Sequence, residues 1–195
     1  MSSLRRGFKT WCENAAVGYR RSLDLARNSA LDPRLLAQHL NVTIWKTADV
    51  PGLALTVLNH LTRIDPDSWS AVTLRLPEAN LIIINETHVL GRQNNSLAHE
   101  LSHIILKHEP AQVFVNADGL MMMTHYNKIH EEEADCLAGT LLIPREALMH
   151  LLDQGYDDAE LSNYFNVTVD LIRMRRNRTG VDIQRSRRGV RRVKF

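Results

Sequence analysis

The chain has 195 residues, enough for one domain with a substantial core or for one domain with an appendage. Its 44% hydrophobic and 24% charged residues are ordinary for a globular protein, and no apolar run approaches the roughly 18 residues that would predict a membrane span. The net charge of +2 is unevenly distributed, because residues 173–195 hold ten Lys and Arg against one acid and carry +9, which leaves −7 on the other 172 residues.

The spacing of hydrophobic residues predicts mostly helices in the first part of the chain. Asp32 followed by Pro33 indicates the start of one helix, since Asp caps a helix and Pro fits its first position. In chain order we predict a helix at 8–30, a helix at 33–40, a strand at 41–46 and a short helix at 53–61.

Two strands are predicted next, at 69–76 and 80–85, and the turn between them indicates an antiparallel hairpin. The uninterrupted apolar run at 81–84 favours a central position for the second strand. The first strand alternates in polarity, and we expect its exposed face to carry Thr73 and Arg75.

Helices are predicted to dominate the second half of the chain, with one small second hairpin formed by strands at 112–115 and 120–124. The segment 158–176 has the rhythm of a helix-turn-helix. The basic run from 179 onward lacks apolar periodicity and therefore predicts a flexible tail. The first of these helices is predicted to begin at 94–96, where Asn94, Asn95 or Ser96 can cap it, and to end before Pro110. The others are predicted at 127–143, 144–152, 158–165 and 169–176.

One of these helices carries the pattern H-E-x-x-H, at His99-Glu-Leu-Ser-His103. Residues four apart on a helix leave the same face one turn apart, so the two imidazoles are spaced to bind one zinc ion. Glu100 is next to the first histidine and is placed to reach a water molecule in the open position of the metal. The alternative is a charged helix with two exposed histidines.

A third ligand is needed, because zinc hydrolases commonly use three protein ligands and leave the fourth position for water. The downstream helix offers Glu131-Glu-Glu-Ala-Asp135, in which Glu131 and Asp135 lie one turn apart on one face. This pattern resembles the third-ligand helix of gluzincin peptidases, which implies that Glu131 binds the metal and that Asp135 orients one of the two histidines. Glu132 and Glu133 point to other faces and remain rival ligands, and a solvated acidic run is the alternative.

Two segments carry a closer resemblance: Ala98-His-Glu-Leu-Ser-His-Ile-Ile-Leu-Lys-His108 and Glu131-Glu-Glu-Ala-Asp-Cys-Leu-Ala-Gly-Thr-Leu-Leu-Ile-Pro144. Together they resemble the motifs of the ImmA/IrrE family of bacterial metallopeptidases, and the resemblance covers about residues 30–176. Ser102 stands where the family usually has Gly, and Leu137 where it usually has Phe. Neither residue is a predicted ligand.

We therefore predict an α+β fold, with a helical zincin-like core and a small antiparallel sheet beside the H-E-x-x-H helix. Short C-terminal helices with a helix-turn-helix-like rhythm complete it. The predicted domains are a zinc metallopeptidase domain at 1–178, which includes a helix-turn-helix-like subdomain at 144–178, and a basic, flexible tail at 179–195.

The predicted cofactor is Zn2+, bound by neutral His99, neutral His103 and anionic Glu131. Zinc lowers the pKa of bound water, and Glu100 is the predicted catalytic base that takes the proton of water and returns it to the leaving amine. A donor besides zinc must stabilise the oxyanion. The candidates for this donor, chosen because they lie between the two motifs, are His125, Tyr126 and His130.

The resemblance also implies the substrate, because members of the family cleave a helix-turn-helix transcriptional repressor and so switch on genes of mobile elements, stress responses or defence. We predict a zinc-dependent endopeptidase that makes limited, regulatory cleavages in such a repressor. The alternative is a DNA-binding regulatory protein that uses residues 158–176 and the basic tail, with the metal site structural or inactive. Weak nucleic-acid contact through the tail is expected as a secondary property.

The two cysteines have no C-x-x-C spacing and are too few for a disulfide framework. No apolar region follows the N-terminal arginines, so export is not predicted. We therefore expect a cytoplasmic protein without a membrane partner.

Overall fold

The computed structural model describes residues 4–75, 79–109, 112–115, 121–124 and 127–192. Helices make up most of the described residues, and the strands form one three-stranded and one two-stranded sheet, so the predicted α+β class is confirmed. The helices are α1 (Phe8–Ser22), α2 (Pro33–His39), α3 (Leu55–Asn59), α4 (Leu90–Ile105), α5 (Lys128–Leu142), α6 (Arg145–Asp153), α7 (Asp158–Phe165), α8 (Val169–Thr179) and α9 (Val181–Arg192).

The larger sheet has the strand order β1–β3–β2, with β1 at Val42–Lys46, β2 at Ala71–Arg75 and β3 at Asn80–Ile84. β2 pairs antiparallel with β3, and β3 is the buried central strand, as predicted. The prediction of an antiparallel sheet was nevertheless wrong, because β1 pairs parallel with β3 and makes the sheet mixed. The long connection through α3 is what allows a parallel pairing.

The second sheet consists of β4 (Gln112–Val115) and β5 (Met121–Thr124), which pair antiparallel. This confirms the predicted small hairpin between the two motif-bearing helices. Its position in the chain, directly after α4 and before α5, brings the chain back so that α5 packs against α4.

α4 and α5 form the centre of the larger core. Leu97 and Leu101 of α4 and Leu137 of α5 are fully buried, in a cluster that α1, α2 and the sheet complete. Each buried leucine contributes about 2–3 kcal/mol. Gly139 lets α8 approach α5, because a Cβ at this position would lie 3.0 Å from Cδ of Arg175.

α4 begins at Leu90, earlier than predicted. The residues expected to cap it lie inside the helix, where the side chain of Asn94 donates to the carbonyl of Asn166 at 2.9 Å. Asn95 likewise donates to Oγ1 of Thr168 at 2.7 Å. These amides therefore fasten the H-E-x-x-H helix to the turn between α7 and α8 instead of capping it.

The C-terminal helices share a second core, and the segment predicted as a flexible tail belongs to it. Val181 of α9 is fully buried, and Nη2 of Arg185 donates to the carbonyl of Leu152 at 2.5 Å. Arg176 and Asp182 form an ion pair at 2.9 Å. For residues 181–192 the prediction failed because the buried side chain of Val181 and acidic partners such as Asp182 and Asp153 offset the charge repulsion within the segment. Among the described helices, none is long and apolar enough to cross a bilayer.

Candidate metal centre

Three side chains from α4 and α5 converge between the two helices. Nε2 of His99 lies 3.2 Å from Oε2 of Glu131, and Nε2 of His103 lies 3.6 Å from Oε1 of the same carboxylate. The two Nε2 atoms are 3.0 Å apart. Ligands about 2 Å from a tetrahedral zinc ion are roughly 3.3 Å from one another. The spacing of these three groups therefore fits one zinc ion, and their donor set of two imidazoles and one carboxylate is one that zinc prefers.

Of the three consecutive glutamates, Glu131 is the one whose carboxylate meets both histidines. Oε2 of Glu133 instead lies 3.1 Å from Nε2 of His108. Glu132 lines a cavity between α1, α5 and α8. The structure thus separates the rivals that the sequence left open, and favours Glu131 as the ligand.

Asp135 approaches His99 from the side opposite Glu131, with Oδ1 3.1 Å from Nδ1 of the ring. A proton on Nδ1 donates this hydrogen bond and leaves the lone pair of Nε2 for a metal. Burial disfavours a charged His99, but the hydrogen bond to Asp135 and the nearby carboxylates outweigh it and raise the pKa of His99. The same hydrogen bond lowers the pKa of Asp135. The surroundings of this ring therefore favour positive charge, which a metal ion would supply.

His103 is held in the neutral form that metal binding requires. Burial and the neighbouring rings of His99, His108 and His130 lower the pKa of His103 to about 3. Its Nδ1 lies 3.0 Å from Nδ1 of His108, so its Nε2 is the nitrogen that faces Glu131.

Glu100 stands beside His99, His103 and Glu131 and faces the sheet. Oγ1 of Thr73 on β2 donates to Oε2 of Glu100 at 2.5 Å. Burial raises the pKa of Glu100, although the hydrogen bond from Thr73 opposes the shift. The expectation that Thr73 lies on the exposed face of its strand was wrong. That face carries Val72 and Leu74, which are 44% and 42% exposed.

A cavity of about 300 Å³ opens beside His99 and Glu100. It extends between α4, α5 and α8, and its walls are polar near the metal ligands and more apolar where α8 contributes. The apolar side chains in its lining include Leu142 of α5 and Leu171 and Met174 of α8. The helix-turn-helix-like segment therefore forms one wall of the space next to the candidate metal centre.

Of the proposed oxyanion donors, only His130 lies among the described residues. Its ring stacks on His108, with centroids 4.2 Å apart and planes within 4°. His125 and Tyr126 lie outside the described residues, as do the side chains of the methionines in β5. The role of all three candidates stays a prediction.

The contact of Thr73 with Glu100 was not predicted from the sequence, and His108, one turn beyond His103, was expected to act at most indirectly on the metal site. Thr73 was predicted to lie on the exposed face of its strand. The alternation of side chains along β2 could equally have placed it on the face that contacts α4. The contact of His108 with His103 depends on the left-handed backbone conformation of Lys107, at φ 56°. That conformation is usual for Gly or Asn, so a lysine gives no signal for it.

The model of one protein family, Peptidase_M78 (IrrE N-terminal-like domain), matches residues 57–177, which are more than half of the chain. The chain belongs to this family. It is a family of metallopeptidases, and the match spans both motif helices as well as β2, β3 and most of α8. The resemblance to ImmA/IrrE peptidases is thereby confirmed, while α1, α2 and β1 precede the matched region.

No curated protein matches the sequence. A solved structure described as a Mycobacterium tuberculosis transcriptional regulator is similar, with 14% sequence identity and a TM-score of 0.48. The match covers 88% of this chain but only 47% of that one, so the chain spans about half the length of that protein. A likeness at this score does not by itself establish a shared fold or activity.

Proposed function

We propose that this member of the family is a zinc-dependent endopeptidase. The observation that carries the proposal is the convergence of His99, His103 and Glu131 within 4.8 Å, with Glu100 beside them. A structural zinc site would use up all four positions with protein ligands, whereas three ligands leave one position for water or substrate. The family match supports peptidase chemistry at such a site.

Zinc bound by these three side chains would supply a Lewis acid that polarises a peptide carbonyl and acidifies water. Glu100 takes the proton of the attacking water and delivers it to the leaving amine. Its surroundings suit this role, because burial raises its pKa, while the hydrogen bond from Thr73 opposes this shift and keeps the carboxylate oriented. Asp135 holds the proton of His99 on Nδ1 and so keeps the ligand nitrogen free.

The substrate is proposed to lie along the outer edge of β2 in an extended conformation. β2 is an edge strand of the described sheet, and backbone hydrogen bonds to such an edge bind peptides with little selection for sequence. Thr73 marks the centre of this edge and points at Glu100, so a peptide there would pass the proposed base. The cavity walled by Leu171 and Met174 is placed to take one apolar side chain of the substrate.

The proposed physiological substrate is a helix-turn-helix repressor, as the family resemblance suggests, and the proposed outcome is limited cleavage that relieves repression in the cytoplasm. A folded repressor offers an extended segment only in a linker or a locally unfolded helix, so one or a few cuts are expected. The test is to incubate the zinc-loaded protein with the repressor encoded nearest to its gene and to map the fragments by mass spectrometry. Casein is the control substrate. Rapid digestion of casein would contradict regulatory specificity while leaving the peptidase chemistry intact.

DNA binding is the weaker alternative, because the arginines of α8 are largely engaged within the protein. Arg175 is nearly buried and pairs with Glu13 at 2.8 Å, and Arg176 pairs with Asp158 and Asp182. These contacts leave α8 poorly placed to read a groove. The exposed arginines of α9 favour at most a salt-sensitive, non-specific contact with nucleic acid. A binding titration with duplex DNA at two salt concentrations tests this, and tight binding that survives high salt would revive the alternative.

The proposed peptidase unit extends beyond 178 and includes α9, since α9 contributes to the second core. Residues 144–178 are proposed as a wall of the substrate cavity and not as an independent DNA-binding subdomain, because α8 lines that cavity and Asn94 and Asn95 bind the α7–α8 turn.

A further inference from the structure

His108 lies against the metal ligand His103, at the ring nitrogen opposite Glu131. The Nδ1 atoms of His103 and His108 are 3.0 Å apart, and Nε2 of His108 lies 3.1 Å from Oε2 of Glu133. The side chains of His108 and Glu133 are 5% and 14% exposed, so water competes little for these hydrogen bonds.

The end of α4 explains how His108 reaches His103. Lys107 adopts a left-handed conformation, and the amide of His108 then donates to the carbonyl of His103 at 3.0 Å. This is the Schellman arrangement, in which the residue after the left-handed position packs against the residue five positions earlier. Arg75 on β2 donates to the carbonyl of His108 at 2.5 Å and holds the turn against the sheet.

One placement of protons satisfies this whole chain of groups. When Nε2 of His103 faces a metal, its proton is on Nδ1 and donates to Nδ1 of His108. The proton of His108 is then on Nε2, where it donates to Glu133. The pattern parallels His99, whose Nδ1 proton goes directly to Asp135.

We propose that His108 and Glu133 are positioning residues that fix the ring and tautomer of His103 for metal binding. The inference rests on the proposed zinc site. Hydrogen-bond partners of ligand histidines typically change metal affinity by about 10- to 100-fold when removed. Each ligand histidine would then have its own carboxylate, directly for His99 and through a second imidazole for His103.

The test measures the zinc Kd of the full chain by competition with a chromogenic chelator. His108→Phe keeps a ring to stack on His130 but removes both nitrogens, and we expect its zinc Kd to rise about tenfold or more. Glu133→Ala should have a similar effect, and the double variant should lose little more than the weaker-binding single variant, because both act through one chain of hydrogen bonds. Glu132→Ala and His150→Ala are the matched controls, and both should leave the Kd unchanged.

A second pair of results separates hydrogen bonding from packing. His108→Gln offers both an acceptor and a donor and should bind zinc more tightly than His108→Phe; equal affinities would contradict the relay. The visible spectrum of the cobalt form should also shift in His108→Phe and not in His150→Ala. Wild type that takes up no zinc would defeat the proposed function itself. Wild type that binds one zinc, with an unchanged Kd in His108→Phe, would defeat only this inference.

A separate observation concerns the only two cysteines of the chain, which meet where α1 packs on α5. Cys12 is fully buried and Cys136 is 4% exposed, both are free thiols, and their side chains belong to one cluster of buried residues. A cavity of about 550 Å³ reaches Cys136. Its lining includes Lys9 and Arg178, so small polar molecules have a route to this thiol.

The two thiols differ in character. The hydrogen bond from Cys12, together with the charges of Arg175 and Arg178, lowers the pKa of Cys136 despite burial. The hydrogen bond to Cys136 and burial raise the pKa of Cys12. Cys136 is therefore the more acidic of the two thiols and lies next to a neutral thiol, which is the pattern of oxidisable cysteine pairs.

We infer that Cys136 and Cys12 form a site of oxidation by hydrogen peroxide. The Cys136 thiolate attacks one peroxide oxygen; an S–O bond forms, the O–O bond breaks and hydroxide leaves. The sulfur of Cys12 then attacks the sulfur of Cys136 and loses its proton, and the S–O bond breaks to release water. Two thiols and one peroxide thus give one disulfide and two waters.

Full-length protein treated with stoichiometric hydrogen peroxide should lose about 2 Da, and a non-reducing peptide map should join Cys12 to Cys136. Cys12→Ser cannot complete the second step, so it should accumulate a sulfenic acid at Cys136 that dimedone labels. Cys136→Ser should leave Cys12 unlabelled. Equal labelling of Cys12 in that variant, or persistence of both thiols under conditions that oxidise free cysteine, would contradict the inference.

Discussion

Oγ1 of Thr73 donates a hydrogen bond to Oε2 of Glu100 at 2.5 Å and so joins the edge strand β2 to the proposed base. This contact places the carboxylate at the centre of the strand along which the substrate is proposed to lie. It also opposes the rise in the pKa of Glu100 that burial causes. The sheet edge therefore positions the base and tunes its ionisation.

Thr73→Val removes this donor with little change in shape. The carboxylate of Glu100 loses a stabilising hydrogen bond, so its pKa should rise further, and the base must be ionised to act. The acid limb of the profile of kcat/KM against pH should therefore move to higher pH, while activity on the alkaline side changes little. Thr73→Ser keeps the hydroxyl and should retain the wild-type profile. A Val variant whose profile superimposes on wild type would show that the contact does not act on the base.

Glu131→Gln should abolish stoichiometric zinc binding, because the only anionic ligand becomes a neutral amide. Glu132→Gln changes the next residue of the same helix and should retain one zinc per chain. Metal analysis after dialysis measures both variants. Zinc retained by Glu131→Gln and lost by Glu132→Gln would reverse the ligand assignment.

Met174→Trp should narrow the cavity beside His99 and Glu100 and disfavour substrates with a large side chain at one position. The expected loss is roughly tenfold in kcat/KM for such substrates relative to those with a small side chain, with zinc content unchanged. Cleavage of a peptide library by the variant measures the change. Arg173→Ala, at a 63% exposed side chain of the same helix, is the control. Identical preferences in the two variants would mean that this cavity does not bind a substrate side chain.

Val181→Ala should destabilise the protein by about 2 kcal/mol, because it removes buried methyl groups from the second core. Ile183 is 60% exposed on the same helix, so Ile183→Ala should have little effect. Urea denaturation compares the two variants. Deletion of 181–195 should lower the stability further. A truncated chain that is as stable as wild type would instead support the original prediction of a flexible tail that does not stabilise the fold.

The sequence predicted most elements correctly because their hydrophobic periods are strong. The apolar run of β3 indicated its central position in the sheet. Glu131 and Asp135 lie one turn apart on one face of α5, and this spacing indicated which face of α5 would pack against α4. The parallel pairing of β1 was not predictable in the same way, since it depends on tertiary contacts and not on the pattern of either strand.

Other features escaped because local chemistry does not reveal them. α9 is held by the buried side chain of Val181 and by ion pairs to distant acids such as Asp153, while its own sequence indicates only charge. The asparagines at 94 and 95 are good helix caps, yet they bind the α7–α8 turn instead. The contact of His108 with His103 depends on the left-handed conformation of Lys107, and the sequence does not indicate that conformation either.

The central claim is that zinc held by His99, His103 and Glu131 acts with Glu100 to cleave a peptide bond. The most direct measurement removes the metal with a chelator, returns zinc in steps, and follows cleavage of the repressor. Wild type should regain activity up to one equivalent of zinc. Glu100→Gln should take up the same zinc with cleavage reduced by about 100- to 10,000-fold. Full activity in the metal-free protein, or in zinc-loaded Glu100→Gln, would contradict the account.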